Sequence, residues 1–548
     1  MQNLIIAILQ RLVITPDSAL KNGIHVVAGP GTGKSRLLAL LIAWLLLWRM
    51  KSQVIIDPTG GVVDNIIAKI ARQPLPIRRR IWPRIHYVDL GASDYVVPSP
   101  LYYRQSQADT TFEIANRFLT VLKRQDPQLQ SAPILGWNSL YECGLYAGQI
   151  AVALDAQIDF VADLVRDPRQ YKDLLKQALM VDPKLKPAVT YFRELMDPKS
   201  GALRSRRTDS FRNKLLPLQS DPTMFATFAA PRRGIDWEQI DRSGHTVLID
   251  ARDERDADRR QFKLLWWFRD FVDYIKYRGM TGRGREIGFL IDEVTQLLGY
   301  RTAEGQSLLA EDLEELTSVL GRNFGVNSVI SHQNMSQVDP RIQNVLMQMG
   351  TQCVGVLTND DDALLMARVL HRYNPSMVRK REPVWMSVRE DVWPYTDFVP
   401  EIIDYTTTEF TPDEQVRLAA DTLRGLPKFT FLIRNATEEG NLSTRVQRVS
   451  IANVDRNQYP DPHQVNEIRS YLRVKSGISV DEVTSLIEQE REKRLMGSRR
   501  KRSDDNAILN EGGEQHEKSQ ERSDFSTQTR PNQAEAGESF KEELWTQK

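Results

Sequence analysis

The stretch AGPGTGKSR, residues 28–36, constrains the chain more than any other. It sits between the apolar run IHVVA (24–28) and the apolar run LLALLIAWLLLW (37–48). A strand, a glycine-rich turn and a helix in that order form a phosphate-binding loop. Its glycines let the backbone fold around phosphates with N–H groups inward, and the helix N-terminus adds its positive dipole end. Ala28, Gly29, Pro30, Gly31, Thr32, Gly33, Lys34, Ser35 and Arg36 are therefore the candidate nucleotide contacts. Lys34 would reach the β- and γ-phosphates, and Ser35 would bind Mg²⁺. A plain glycine-rich turn is the competing reading.

A chain of 548 residues is too long for one core of ordinary size, so more than one structural unit is expected. Strand and helix signals alternate through 1–107: IHVVA, a helix at 34–50, QVIID (53–57), a helix near 62–72, and RIHYVDLG (84–91). That rhythm predicts an α/β fold with a mostly parallel sheet. It stops at 108–235, where only helical periodicity is found, so an inserted all-α domain is expected there. It resumes over 236–460 with HTVLIDA (245–251), a long helix at 256–278, EIGFLIDE (286–293), a helix around 306–322, VNSVIS (326–331), a helix near 340–348 and TQCVGVLT (351–358). A short helix at 361–371 and a strand pair, KFTFLIRN (428–435) with STRVQRVSI (443–451), complete that part. A helical segment is expected at 461–496 and a disordered tail at 497–548, where apolar residues are too few to offset ordering entropy.

Bulk composition excludes several classes. The formal net charge is only +1, so nucleic-acid contact must come from local patches. Two such patches exist, SGALRSRRTDSFRNK (200–214) and SRRKR (498–502). The first reads as a solvated loop and helix start or as a nucleic-acid or nucleotide-phosphate contact, and the second as a solvated tail or as a contact to nucleic acid or lipid head groups. The terminal FKEELW is at most a short linear binding motif. Two distant cysteines, Cys143 and Cys353, exclude a disulfide framework and a Cys-based zinc site, which fits a reducing cytoplasm. The apolar runs at 4–9 and 37–48 fall short of the ~20 residues that span a bilayer, and no signal peptide is read.

Three further elements bear chemistry. GFLIDE (288–293) ends an apolar strand on an acidic pair, either a solvated strand end or a Walker B motif. In the second reading Asp292 joins the Mg²⁺ shell and Glu293 orients and deprotonates the attacking water. Gln333 lies just beyond the VNSVIS strand, where open α/β sheets bind ligands. Its carboxamide can sense a γ-phosphate and the attacking water together, or simply begin a polar turn. Arg322 reads as complementing a helix dipole or as an arginine finger serving a neighbouring subunit's site. His332 is read as a neighbour and not as a catalyst.

VVAGPGTGKS (26–35), VIIDPTGG (54–61), GFLIDEVTQLLG (288–299) and GRNFGVNSVISHQ (321–333) together resemble the RecA-like hexameric motors of the HerA/FtsK superfamily. SFRNKLLPLQSDPTMFATF (210–228) and GIDWEQIDRSGHTVLIDA (234–251) are similar to that family's return from helical domain to sheet. The likeness is greatest to the type IV secretion and conjugation branch, the TraG/TraD-like coupling proteins and related secretion ATPases. It covers 24–360 well and 361–495 loosely. It implies a RecA-like P-loop ATPase using ATP and Mg²⁺, a homo-hexameric ring, Arg322 as a finger in trans and Gln333 as sensor. It also implies DNA moved through the ring and a membrane-associated secretion or conjugation complex as partner. The family's usual DPKGE is Asp57-Pro58-Thr59-Gly60-Gly61 here, without the lysine and the acid. No transmembrane anchor and no N-terminal β-barrel are expected, so the location expected is cytoplasmic, with partners as the route to the inner membrane. The alternatives are a secretion ATPase for protein or pilus assembly without a DNA grip, and a nucleotide-gated scaffold.

Overall fold

Strands begin where β-branched runs meet turn residues, and in this protein most are buried on both faces. A computed structural model describes residues 22–44, 51–106, 108–125, 134–197, 201–281, 285–298, 312–338, 340–392, 395–435, 446–451 and 462–510. The apolar run at 4–9, the start of the helix expected at 306–322, and the tail from 511 lie outside them. The described strands are, in chain order, β1 (Ile24–Val27), β2 (Ser52–Asp57), β3 (Ile85–Asp89), β4 (Tyr95–Val96), β5 (Thr246–Asp250), β6 (Ile287–Ile291) and β7 (Val326–His332). They continue with β8 (Thr351–Val354), β9 (Val378–Val392), β10 (Tyr395–Glu409), β11 (Thr430–Arg434), β12 (Gln447–Ser450) and β13 (Ile478–Ser479). The α/β class and the mostly parallel sheet expected from the alternation are present.

Two compact units make up the chain. The first comprises the described parts of Met1–Leu41, Glu293–Thr295 and Asn327–Tyr459. Its strands lie in the order β12-β11-β8-β1-β7. β1 is central and parallel to both neighbours, with His25 level with Ile330 on one side and Gln352 on the other. β11 runs antiparallel to β8 and to β12. The helix Lys34–Trp44 follows the glycine loop, and Leu37 through Ile42 are all buried, as expected for a run apolar on every side.

This unit also carries an element the sequence reading did not foresee. β9 and β10, each 15 residues long, pair with each other alone as an antiparallel hairpin. Its described side chains are exposed almost throughout, including Trp385, Met386, Phe398 and Tyr405.

The second unit comprises Ile42–Asp292, Gln296–Val326 and the described part of Pro460–Lys548. Its strands lie in the order β6-β2-β5-β3 and all pair in parallel. Among the described residues of 108–235 every regular element is a helix, as the periodicity there predicts. The basic stretch 200–214, for which a solvated loop leading into a helix was expected, is helical from Gly201 to Ser220. Thr208, Phe211, Leu215 and Leu218 are its buried positions, so the arginines occupy the remaining faces. The C-terminal helix runs from Val480 to Asn510, past residue 497 where the tail was expected to start. Among the described residues no helix is long and apolar enough to cross a membrane.

Helix Ala257–Thr281 is the spine of the second unit. Trp266, Trp267, Phe268 and Phe271 are all fully buried, and the Phe271 ring stacks on Phe289 of β6 at 5.0 Å. Asp270, wholly buried among them, accepts from the Tyr103 hydroxyl, from Arg233 at 2.6 Å and from the Trp237 indole at 2.8 Å. Removing one side of such a set leaves a buried guanidinium and indole N–H without their partner. Asp270→Ala is therefore expected to destabilise the protein by about 3–5 kcal/mol, read as a fall in the urea midpoint. A change below ~1 kcal/mol would show that this network is not a structural anchor.

Candidate functional site

The loop that closes β1 is shaped by its two left-handed glycines. Gly31 has φ 69° and Gly33 has φ 103°, conformations an L-residue adopts only with strain. Gly31 opens to free space, while a Cβ at Gly33 would stand 2.5 Å from the Phe429 ring. Ala28 N–H donates to the His332 carbonyl at 3.4 Å, and Gly29 N–H to the Val356 carbonyl at 2.8 Å. The Thr32 hydroxyl donates back to the Gly29 carbonyl at 2.6 Å. The loop is thus pinned to the chain leaving β7 and β8, at the carboxyl edge where α/β sheets bind ligands.

Lys34, the first residue of the helix, is buried and ion-pairs with the equally buried Glu293. The Gln333 amide donates to the same Glu293 oxygen, Oε1, at 2.8 Å. Three residues selected from three separate motifs thereby meet at one carboxylate. Glu293 itself has φ 50°, a left-handed backbone for a residue with a side chain. Such strain costs about 1–3 kcal/mol and persists only where the surroundings enforce it. The turn after Gln333 is held as well: Asp362 accepts from Met335 N–H at 3.1 Å and Ser336 N–H at 3.0 Å.

In the second unit, Asp292 ends the β6 run and is buried, with its N–H donating to the Ile56 carbonyl at 3.0 Å. Its charge acts on Asp57 at the tip of β2. Burial first, then Asp292, raise the Asp57 carboxyl to about 6, against the hydrogen bond from Val63 N–H. Asp57 also accepts from Gly60 N–H at 2.7 Å and Val62 N–H at 2.7 Å, so it organises the Thr59-Gly60 turn and caps helix Gly61–Ala71. Gly60 has no room for a side chain, since its Cβ would lie 2.0 Å from Arg252 Nε. Arg252 in turn binds Asp250 and Asp64. The turn that departs from the family pattern is therefore held by Asp57 and Arg252.

Arg322 lies on the short helix Gly321–Phe324, directly after a π-helical turn over Glu315–Leu320. Its side chain is outside the described residues, as are those of the SRRKR cluster. Ser35 and Arg36 occupy the first turn of the helix after the loop, beside Lys34. Among the described residues no group of three or more His, Cys, Asp or Glu could hold a metal ion unaided. In the first unit Ser35 offers a hydroxyl oxygen, a donor of the kind that suits Mg²⁺, an ion that commonly completes its shell with water and phosphate oxygens.

Sequence reasoning missed a buried polar chain beneath the loop. His25 Nδ1 lies 2.7 Å from Gln352 Oε1, and His25 Nε2 lies 2.7 Å from His332 Nε2. Gln352 Nε2 donates to the Leu346 carbonyl at 2.8 Å and the Met349 carbonyl at 3.0 Å, so its Oε1 is the acceptor. That assigns the proton of His25 to Nδ1 and the proton of His332 to Nε2. Both rings are fully buried. Burial lowers His25 to about 4, opposed by its bond to Gln352. Burial, then His25, then Lys34 lower His332. Phe429 was missed too; this half-buried residue abuts Gly33, far from it in sequence.

No family model and no curated protein matches the chain. Solved structures similar to it include the bacterial conjugative coupling protein TrwBdeltaN70 in an unbound form, at 16% identity and a TM-score of 0.45, over 82% of this chain and 88% of that one. The plasmid coupling protein TrwB in complex with ADP and Mg²⁺ is similar at 16% identity and a TM-score of 0.45, over 82% and 88%. VirB4 of Thermoanaerobacter pseudethanolicus is similar at 10% identity and a TM-score of 0.42, over 80% and 90%.

The His25 pair makes stability depend on pH. The folded His25 value, about 4, lies below the ordinary 6.5, so between the two the unfolded chain binds the extra proton. The stabilisation is complete above about 6.5 and is lost as pH falls through about 4. His25 alone is worth on the order of 3 kcal/mol across that window. The thermal midpoint should therefore fall from pH 7 to pH 4 more steeply in wild type than in His25→Gln. Identical slopes would show that the ring is not held neutral.

Proposed function

We propose that this protein is a Mg²⁺-dependent ATPase that couples γ-phosphate hydrolysis to movement of DNA, as part of a conjugation or type IV secretion machine. The observation that carries the ATPase is the meeting of Lys34, Glu293 and Gln333 at one buried carboxylate beside a glycine-shaped phosphate loop. DNA as the moved polymer and a ring of copies rest on the motif resemblance.

The residues divide the work as follows. Backbone N–H groups from Gly31 to Ser35, with the N-terminus of helix Lys34–Trp44, cradle the phosphates. Lys34 neutralises the β- and γ-phosphate oxygens. A terminal phosphate entering between Lys34 and Glu293 replaces the carboxylate as the lysine's partner. Glu293 is then released to orient a water and take its proton as the water oxygen bonds to the γ-phosphorus and the bond to the ADP oxygen breaks. Gln333, already bonded to Glu293, reports whether the γ-phosphate is there and fixes the water. Ser35 and Asp292 would hold Mg²⁺, which supplies charge neutralisation at the phosphates. Arg322, in the role that the motif resemblance implies, serves the site of an adjoining copy.

Glu293→Gln is expected to lower kcat by at least ~100-fold without weakening ATP binding, because it removes the base and also the lysine's competing partner. Unchanged turnover would overturn the mechanism. Double-stranded and single-stranded DNA should each be tested for stimulation of the wild-type rate, with stimulation expected to fade as salt rises. A rate indifferent to both would favour a secretion ATPase that does not grip DNA.

A shared site gives a separate test. Lys34→Ala and Arg322→Ala should each be inactive alone, since a finger in trans contributes about 10³-fold or more. An equimolar mixture should regain activity, because mixed rings contain interfaces with one intact loop and one intact arginine. A mixture no more active than its components would place Arg322 outside the site of its neighbour.

A further inference from the structure

Lys34 and Arg36 stand two positions apart on the first turn of their helix. At about 100° per residue their side chains leave it about 200° apart. Lys34 turns to Glu293, the side on which a terminal phosphate is read above. Arg36 turns to the opposite flank, where its guanidinium lies over the Phe429 ring, 4.9 Å from the centroid.

That ring is held in place from both sides. Phe429 N–H donates to the Thr32 carbonyl of the phosphate loop at 2.8 Å, and its own carbonyl accepts from Ile451 N–H at 2.8 Å. Its backbone is left-handed, with φ 63°. Gly33 provides the space, since any side chain there would meet the ring. The ring is half-buried, so part of its surface faces solvent. An apolar contact alone would not require a strained residue hydrogen-bonded to the loop itself.

We propose that Arg36 and Phe429 form the platform on which the purine base of the nucleotide stacks. The inference rests on the nucleotide reading of the phosphate loop and adds the other end of the ligand to it. A planar guanidinium and an aromatic face both stack on heteroaromatic rings. Neither reads the hydrogen-bonding edge of the base, and every base has a π-face. The platform therefore accepts adenine and guanine alike, and this protein binds purine nucleoside triphosphates with little discrimination between them.

The test is equilibrium binding of ATP, GTP and inorganic tripolyphosphate to the full chain, as wild type, Phe429→Leu, Arg36→Gln and Lys34→Ala. Leucine keeps an apolar contact with Gly33, and Arg36→Gln gives an independent variant if Phe429→Leu folds poorly. Loss of base stacking is expected to weaken ATP and GTP by roughly 5- to 100-fold in both platform variants. Tripolyphosphate, which has no base, should bind Phe429→Leu as it binds wild type, and Arg36→Gln should lose less affinity for it than for ATP. Phe429→Trp should restore ATP affinity. Lys34→Ala should weaken all three ligands, which reports on the phosphate loop separately. Unchanged ATP affinity in both platform variants, or an equal loss for tripolyphosphate, would overturn the platform while leaving the phosphate loop standing. Failure of wild type to bind any of the three would overturn the nucleotide reading and the platform with it.

Discussion

Everything in the candidate site depends on one buried ion pair, Lys34 with Glu293. Taking an ammonium and a carboxylate out of water costs several kcal/mol per ion, and their mutual attraction seldom returns more than that. A hydrophobic pair of the same volume would serve stability as well or better. Here the acid is also held in a left-handed backbone, a second cost at the same residue. Two costs at one position are explained when the pair has work to do with a third charge. Under the proposed function a phosphate group is that charge: it would satisfy the lysine and free the carboxylate beside the open Gly31.

The sheet explains why the pair can be placed so accurately. β1 lies between two parallel neighbours, so the chain segments leaving β1, β7 and β8 emerge side by side at one edge. The His25 ring makes those strands answer to each other, because its two nitrogens bond to Gln352 on β8 and His332 on β7. One amide fixes both protons in the chain. Gln352 gives its N–H groups to the carbonyls that end helix Pro340–Met347 and the turn after it, and its oxygen then dictates the tautomer of His25 and so of His332. A polar row inside a parallel sheet thus acts as a register lock under the loop, and its penalty is small only while both rings stay neutral.

What could be read from the sequence follows the range of the interactions. The phosphate loop is local: its glycines, Lys34 and Ser35 are consecutive, and the strand and helix that flank them are apolar runs. Glu293 and Gln333 were legible because each sits where a strand run ends, which in an α/β chain is also where the sheet edge lies. His25 and Gln352 were not, since a single polar residue in a short apolar strand has no periodic signature. The same holds for Phe429, whose partners Thr32 and Gly33 are far away in sequence. The β9–β10 hairpin escaped for another reason. Strand recognition relies on one face being buried, and here the described residues of both faces meet solvent, so charged and apolar residues mix without alternation. The start of the C-terminal tail was read from composition, and composition does not register that a helix begun at Val480 continues to Asn510.

The departure at Asp57 shows how a motif can keep its position and change its content. The resemblance leads one to expect a lysine and an acid after this aspartate, and neither is present. Gly60, which matches the glycine of that pattern, yields its side-chain space to Arg252, which ties the turn to Asp250 and Asp64. Asp57 is left facing two other carboxylates, Asp292 and Asp250, and both raise its affinity for a proton. A cation brought to Asp292 would act in the opposite sense and favour ionised Asp57. The turn after β2 therefore has a charge state coupled to whatever binds at the tip of β6, through Coulomb interaction within one unit. That coupling needs no lysine at the position where the resemblance leads one to expect it, and Gly60 serves in this turn as packing space for Arg252.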